Sequence, residues 1–400
     1  MQDFDLVLSR KGTGSVRWDN VEEKFGEPEL IPLTTADMDF LVAEPIRETL
    51  RHIVDFGIYG YTKHTDAFYA AIIKRFHEKW HWDIKREWIV HSPTIVAAIA
   101  YCIQSMTEPG DGVVLPTPMY HPFQHLIRDN GRTLLECPMV FVNGRYALDF
   151  DDLEKKIAAA KMLIFCNPHN PAGTAWTQEE LYHVCKLCEA HDVVLISDEI
   201  HCDFIYSGRE FVSMSTAAEA VGKTAMENLI VCSSAGKSFN IAGLQVSNII
   251  IPGEKLRKCY QRVMTCQGFH ELNMMGTAAL QVAYTKCDNW LEAAVRYLEG
   301  NRDYVVSFCK ENIPEIIPVV PEATYMIWLD CRKLRMTEKE LEDFFIHKAK
   351  VAVNIGGTFG SGGEGYVRLN FATPKSILEY ALQNIAKAVD QLLDKGSSEK

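Results

Sequence analysis

The stretch CSSAGKSFNIAGL, residues 232–244, places Lys237 among small and hydroxyl-bearing residues. It follows residues 228–232, NLIVC, whose apolar and β-branched side chains predict a short buried strand. A lysine just past a strand end can be a solvated surface charge, can hold a phosphate, or can attack a carbonyl to form a Schiff base. The glycine spacing of a phosphate-binding loop is absent before Lys237. The four residues 234–237 alone favour a surface lysine, so the rest of the chain must decide.

The composition is that of an ordinary globular protein. The chain has 400 residues, 47% hydrophobic and 24% charged, with a formal net charge of −12. No basic block is present, which argues against nucleic acid or an anionic membrane as a partner. The opening MQDFDLVLSRKGTG lacks the apolar core of a signal peptide, and apolar runs such as residues 95–103 are far below the roughly 20 residues of a membrane span. We therefore expect a cytoplasmic protein.

The twelve cysteines are scattered in mostly apolar contexts, which is typical of reduced, buried residues. Cys185 and Cys188 have the spacing of metal ligands, with His191 nearby. However, residues 178–191 have a helical pattern and no second such pair exists. We therefore expect packing on a helix face and no metal site.

From about residue 88, short apolar runs alternate with helical stretches. The runs cover residues 88–90, 112–115, 162–166, 193–197, 229–232 and 247–251. The helical stretches include residues 94–106, 151–160, 178–191 and 254–265. This alternation predicts an α/β fold with a mostly parallel sheet covered by helices on both faces, and ligands bind beyond the carboxyl ends of such strands.

The two chain ends have a different pattern. Helices are predicted over residues 44–56, 66–82, 289–312 and 337–348, and strands over residues 325–329 and 351–354. With a length that suits two domains, the chain is predicted to form a large domain from residues 48–285. A smaller α+β domain would combine residues 1–47 with residues 286–400.

Three stretches of the predicted large domain follow strands and could contribute to a binding site. SPTIV, residues 92–96, opens a helix, and its free amides suit a phosphate, although most helix starts bind only water. PTPMYHPF, residues 116–123, is stiffened by three prolines and could hold Tyr120 flat against a ring or pack it in the core. NPHNPAG, residues 167–173, is a tight turn that aims an asparagine amide at a fixed target.

Two further motifs carry charges. SDEIH, residues 197–201, buries Asp198 at a strand end, where it needs a cationic ring nitrogen or an arginine as partner. His201 alone is better read as a satisfied core histidine. FGSGGEGYVRLN, residues 359–370, leads into a strand with Arg368, which could bind a phosphate, grip a carboxylate, or be structural.

Together and in this order, these motifs resemble the fold-type I pyridoxal-phosphate (PLP) enzymes of the class I/II aminotransferase superfamily. The similarity is greatest to the MalY/PatB-type cystathionine β-lyase (C–S lyase) subfamily and covers nearly the whole chain. The motifs that carry it are ADMDF (36–40), YGYT (59–62), EPGDGV (108–113), NPHNPAG (167–173), SDEIH (197–201), KSFNIAGL (237–244) and FGSGGEGYVRLN (359–370).

The resemblance implies roles around the cofactor ring. Lys237 would carry PLP as a Schiff base, and Asp198 would keep the ring nitrogen protonated. Asn170 would donate to the phenolic oxygen, with His201 as a second group beside the ring. Tyr120 would stack on the ring and could protonate a departing sulfur.

The resemblance also implies groups that bind the phosphate and the substrate. The phosphate would be held by Ser234 and by the amides of Thr94, Ile95 and Val96. Arg368 would bind the substrate α-carboxylate, and Asp37 is a second candidate for substrate binding. Tyr61 would reach the phosphate from the neighbouring subunit, which implies a homodimer with shared active sites.

The implied reaction is the cleavage of cystathionine or related S-substituted cysteines to a thiol, pyruvate and ammonia, a step of methionine biosynthesis. An aminotransferase would use the same lysine, aspartate and arginine, but tends to have a tyrosine where His201 stands. A non-catalytic, PLP-binding regulatory protein is a third interpretation, and the retained Lys237 argues against it. The chain departs from the family pattern at Gly236, Thr94 and Lys375, where a hydroxyl residue, a glycine and an arginine are common.

Overall fold

The computed structural model describes residues 2–27 and 29–398. Its strands, in chain order, are β1 (Ile31–Pro32), β2 (Ile89–Ser92), β3 (Gly112–Thr117), β4 (Thr133–Pro138), β5 (Val140–Val142), β6 (Arg145–Ala147), β7 (Met162–Cys166), β8 (Val194–Asp198), β9 (Leu229–Ser233), β10 (Ser247–Ile250), β11 (Ile317–Val319), β12 (Met326–Asp330), β13 (Val351–Ala352), β14 (Asn354–Ile355) and β15 (Tyr366–Asn370).

Its helices are α1 (Asn20–Phe25), α2 (Glu44–Phe56), α3 (Asp66–Trp80), α4 (Ile95–Met106), α5 (Pro122–Asp129), α6 (Phe150–Ile157), α7 (Gln178–Ala190), α8 (Met214–Val221), α9 (Lys223–Glu227), α10 (Ala235–Ser238), α11 (Glu254–Cys266), α12 (Met274–Lys286), α13 (Asp288–Asn312), α14 (Glu338–Asp343) and α15 (Lys375–Ser398). No helix within residues 2–27 and 29–398 has the length and apolar character needed to cross a membrane.

A seven-stranded sheet in the order β2-β10-β9-β8-β7-β3-β4 forms the centre of the molecule. Strands β9, β8, β7, β3 and β4 pair in parallel, and β10 runs antiparallel to both of its neighbours. Every residue of β7 and β9 is buried, as expected of strands covered by helices on both faces. The α/β prediction from the alternating pattern is confirmed.

A second sheet, in the order β11-β12-β15-β14, is antiparallel. The amino-terminal strand β1 pairs in parallel with β13, so both chain ends join this part of the molecule. The domain limits at residues 48 and 285 stay a prediction.

Some predicted elements differ in detail. The helix predicted over residues 66–82 ends at Trp80, because His81 adopts a left-handed φ of 52°. The helix predicted over residues 337–348 changes after Asp343 into a wider π-helical turn. The predicted strand 351–354 divides, since β13 pairs with β1 whereas β14 pairs with β15.

The cysteines of the possible metal motif lie on α7 and are buried. The Sγ atom of Cys185 lies 3.3 Å from the Sδ atom of Met214, so the helix face packs against α8. Within the described residues, no group of three or more His, Cys, Asp or Glu side chains could hold a metal ion.

A buried ion-pair network ties the helices to the lysine loop. Arg75 on α3 donates to Asp203 at 2.7 Å and to Asp288 at 2.9 Å, and its side chain is 1% exposed. Ser238, next to Lys237, donates its hydroxyl to the other oxygen of Asp203 at 2.5 Å. The arginine therefore neutralises the carboxylate that anchors the loop.

Replacing Arg75 with leucine should destabilise the fold by about 3–5 kcal/mol, because Asp203 then stays buried without its cation. The free energy of unfolding in urea would measure the loss. Arg86→Leu is the matched control, since its ion pair with Asp66 is exposed and should contribute little. Equal losses in the two variants would contradict this assignment.

Candidate active site

A cavity of about 310 Å³ lies at the carboxyl edge of the central sheet. The loops that form it follow β2, β3, β7, β8 and β9, which end at this edge. Its walls include every predicted cofactor-binding residue except Tyr61: Thr94, Ile95, Val96, Tyr120, Asn170, Asp198, His201, Ser234 and Lys237. The residues that the sequence separates by up to 143 positions therefore share one wall, because parallel strands present their ends together.

Lys237 projects from the short helix α10, directly after β9. Its Nζ donates a hydrogen bond to the backbone carbonyl of Ala36. Burial lowers the pKa of the Lys237 amine to about 8, with Asp37 opposing the shift and Arg368 adding to it. A lowered pKa increases the neutral fraction, which is the form that attacks a carbonyl carbon.

Asp198 ends β8 and is 4% exposed. One carboxylate oxygen accepts the amide of Ile200 at 3.2 Å. Burial raises the pKa of the carboxyl to about 7, and the opposing effects of that amide and of Lys237 are smaller. A ligand with a protonated ring nitrogen would supply the cation that this buried carboxylate lacks.

Two further side chains face the same space. Burial lowers the pKa of His201 to about 3, and its Nδ1 is buried without a hydrogen-bond partner. The imidazole is therefore neutral, and it can bind a ligand that offers this nitrogen a partner. Burial raises the pKa of the Tyr120 hydroxyl, so this tyrosine stays protonated at neutral pH.

Arg368, on β15, lines an adjoining cavity that also reaches Lys237. Its guanidinium donates to Asn354 Oδ1 at 2.8 Å, Asn170 Oδ1 at 3.1 Å and the carbonyl of Thr34 at 3.2 Å. All three acceptors are neutral, its Nε has no hydrogen-bond partner, and burial lowers its pKa to about 10. A ligand carboxylate would balance this buried charge.

The start of α4 is the part of the cavity suited to a phosphate. Thr94 caps the helix by accepting the amide of Ala97 at 3.1 Å. The amides of Ile95 and Val96 lie in the first turn, where a helix offers no internal acceptors, and the helix dipole favours an anion there.

The hydroxyl of Ser234 is already engaged. It donates to the carbonyl of Val246 at 2.6 Å and accepts the amide of Gly236 at 2.9 Å. A hydroxyl has one hydrogen, so Ser234 can donate to a phosphate only by giving up Val246. A Cβ atom on Gly236 would lie 3.0 Å from Ser234 Oγ and 3.3 Å from Ala242 Cα, which explains the absence of a larger residue there.

The structure does not bring two predicted residues into the cavity of this chain. Tyr61 is fully exposed. The carboxylate of Asp37 is paired with Arg10 at 2.7 Å and lies 3.5 Å from Arg17. Arginines of the amino-terminal arm therefore already balance its charge. Substrate binding by Asp37 stays a prediction, and the cavity walls give it no support.

Sequence reasoning missed several site residues. The acceptor for Lys237 is the backbone carbonyl of Ala36, and a carbonyl has no sequence signal. Asn354 faces Arg368 across the β14–β15 pair, and only the strand register reveals this. His121, in the proline-stiffened loop beside Tyr120, also lines the adjoining cavity; a polar residue next to a predicted site residue was the available signal.

The donor set fits PLP. The start of α4 suits its phosphate, the unbalanced Asp198 suits its protonated ring nitrogen, and the amine of Lys237 suits its aldehyde. The flat side chain of Tyr120 lies in the same wall. The phosphate and the ring nitrogen of the cofactor would therefore each meet a group whose own requirement is otherwise unmet.

The pH dependence of the stability of the cofactor-free protein should reveal the raised pKa of Asp198. Its folded pKa of about 7 exceeds the ordinary value of 3.8, so the folded state retains a proton that the unfolded state releases, and stability falls as pH rises through this window. The asparagine of Asp198→Asn cannot titrate. The free energy of unfolding of this variant should therefore fall less with rising pH than that of the wild type, by up to about 4 kcal/mol.

Urea unfolding of the two cofactor-free proteins across this pH window would measure the difference. Asp192→Asn, on the exposed turn before β8, is the control. An identical pH dependence in wild type and Asp198→Asn would contradict the assignment.

Known proteins with similar sequences support the same interpretation as the geometry of the site. The family model "Aminotransferase class I and II" matches residues 28–385. The chain is 36% identical over 389 residues to cystathionine beta-lyase PatB of Bacillus subtilis (strain 168), covering 97% of this chain and 100% of that protein. It is 33% identical over 393 residues to protein MalY of Escherichia coli (strain K12), covering 97% and 99%.

Among solved structures, cystalysin from Treponema denticola, which contains a pyridoxal 5'-phosphate cofactor, matches with a TM-score of 0.94 and 34% identity, covering 98% of this chain and 100% of that one. The match spans both sheets and the loops between them. The chain therefore belongs to the aminotransferase class I and II family, in its MalY/PatB-type branch.

Proposed function

We propose that the protein is a PLP-dependent carbon–sulfur β-lyase that cleaves cystathionine or related S-substituted cysteines to a thiol, pyruvate and ammonia. The observation that carries this proposal is that Lys237 lines two adjoining cavities, one with the unbalanced Asp198 and the other with the unbalanced Arg368. The names of the relatives, a cystathionine beta-lyase and cystalysin, support the lyase over an aminotransferase.

Arg368 selects and orients the substrate. Its neutral acceptors leave one positive charge for the α-carboxylate, and its planar guanidinium fixes the direction from which that carboxylate enters. The adjoining cavity carries both Arg368 and Lys237, so an amino acid held by Arg368 lies beside the amine.

The protons are handled by two buried groups. Bound PLP supplies an electron sink for the negative charge that develops at the substrate Cα. The neutral amine of Lys237 takes the proton from Cα, since burial has lowered its pKa toward neutrality. The protonated hydroxyl of Tyr120 donates to the departing sulfur, and Asp198, as an anion, would keep the ring nitrogen of bound PLP protonated.

The active unit in this proposal is a homodimer. Tyr61 is fully exposed, and it ends an exposed apolar stretch that includes Phe56, Ile58 and Tyr59. Exposed aromatic residues in sequence mark a surface that a partner covers. Tyr61 of a second copy would complete the phosphate site, which this chain leaves to backbone amides. A cytoplasmic location stays a prediction.

Purified, PLP-loaded protein should release pyruvate and a thiol from cystathionine without any added keto acid. Lys237→Ala should lower kcat by about 10³-fold or more, because it removes the amine that would hold the cofactor and that accepts the Cα proton. Coupled pyruvate detection would measure both rates, with Lys155→Ala on the exposed face of α6 as control. Turnover only in the presence of a keto acid would favour an aminotransferase and contradict the lyase.

Shared sites predict complementation between two inactive variants. In a mixed dimer of Tyr61→Ala and Lys237→Ala chains, one site contains both a native Tyr61 and a native Lys237. Random mixing should therefore restore about a quarter of wild-type activity. Mixing after unfolding and refolding the two chains together tests this. If activity stays at the level of the separate variants, the sites are not shared.

A further inference from the structure

A second cavity, of about 280 Å³, continues the active site toward the amino-terminal arm. It shares Ala36, Tyr120 and Lys237 with the first cavity. A ligand held by Arg368 therefore has room to extend away from the cofactor site. The far wall comes from the arm and from α1, through Val16, Arg17, Asn20, Val21, Lys24 and Phe25.

The charges of this cavity do not balance. Arg17 is fully buried, and its charge is compensated by Asp37 and Asp39, whose carboxylates lie 3.5 and 3.3 Å from its Nη1. Arg368 has only neutral partners, and the substrate α-carboxylate satisfies it in the proposed reaction. Of the two cations on the far wall, Arg17 and Lys24, only Lys24 then remains uncompensated by a carboxylate of the described residues.

Lys24 projects from the last turn of α1. Its Nζ lies 4.8 Å from the ring centroid of Phe25, and in the described part of the chain it forms no ion pair with a carboxylate. Lys24 and His121 both line this cavity. Burial, with smaller contributions from Arg368, His125 and Lys24, lowers the pKa of His121 to about 4, so this imidazole is neutral.

Two buried polar atoms in the same wall lack a partner. His121 Nδ1 and Arg17 Nη2 are both buried without a hydrogen bond, and the Arg17 side chain is 0% exposed. Buried polar groups are rarely left unpaired in folded proteins. An ammonium, a guanidinium nitrogen and an imidazole nitrogen around one space suit an anionic ligand group.

We propose that Lys24 is a specificity-determining residue that binds a second carboxylate, carried on the thiol part of the substrate. The preferred substrates are then S-substituted cysteines with a distal carboxylate, of which cystathionine is one, and cysteine derivatives with plain alkyl groups are poorer. This inference rests on the proposed function, because it places the α-carboxylate on Arg368.

The test is a ratio of kcat/KM values for two substrates of similar length, S-(2-carboxyethyl)-L-cysteine and S-propyl-L-cysteine, with the PLP-loaded enzyme. Lys24→Met should lower the ratio of the carboxylate substrate to the alkyl substrate by at least about fivefold. Lys24→Glu should lower it further, and Lys24→Arg should retain most of it.

The control is Lys155→Met, an exposed lysine on α6, which should leave the ratio unchanged. If the role of Lys24 were purely structural, its replacement would lower kcat/KM for both substrates equally. An unchanged ratio in Lys24→Met and Lys24→Glu therefore overturns the inference. If the wild-type enzyme turns over neither compound, the proposed function fails. The ratio of their dissociation constants, read from the visible absorption of bound PLP, then decides the role of Lys24 by the same criterion.

Discussion

The site depends on the burial of two opposite charges that do not neutralise each other. Asp198 and Arg368 are both buried, and burial shifts the pKa of each in the direction that favours its neutral form. Burying a charge without a partner costs several kcal/mol. The protein therefore carries an unmet requirement for a cation at one place and an anion at another, and a protonated heterocycle joined to an amino-acid carboxylate meets both.

The segment of residues 35–40 keeps the amine of Lys237 in place. The carbonyl of Ala36 accepts Lys237 Nζ and the hydroxyl of Tyr325. Asn240 holds the same segment, since it accepts the amide of residue 38 at 3.0 Å and donates to the carbonyls of residues 38 and 40 at 2.9 Å each. The lysine is thus positioned through this segment by Asn240, in the loop after α10, and by Tyr325, directly before β12.

The sequence predicted the parts of the site that depend on strand ends. A short apolar run followed by a tight turn places Asn170 or Asp198 at the edge of a parallel sheet, and this rule needs no knowledge of pairing. The contact between Arg368 and Asn354 depends on antiparallel register, which the pattern of residues 351–354 did not contain. The engagement of Ser234 by Val246 depends on a carbonyl 12 residues away, and no residue type signals a carbonyl.

Two glycines near the site, Gly356 and Gly236, allow the backbone to pack closely. This packing limits which groups can hold the phosphate. In the turn before Arg368, a Cβ on Gly356 would lie 2.1 Å from the carbonyl oxygen of Gly363, so the backbone of this turn packs closely against itself. Beside the lysine, Gly236 leaves room for the hydroxyl of Ser234. The hydrogen of that hydroxyl is already donated to the carbonyl of Val246. The amides at the start of α4 are donors of this chain that remain available to a phosphate, and the helix dipole strengthens them without any side chain.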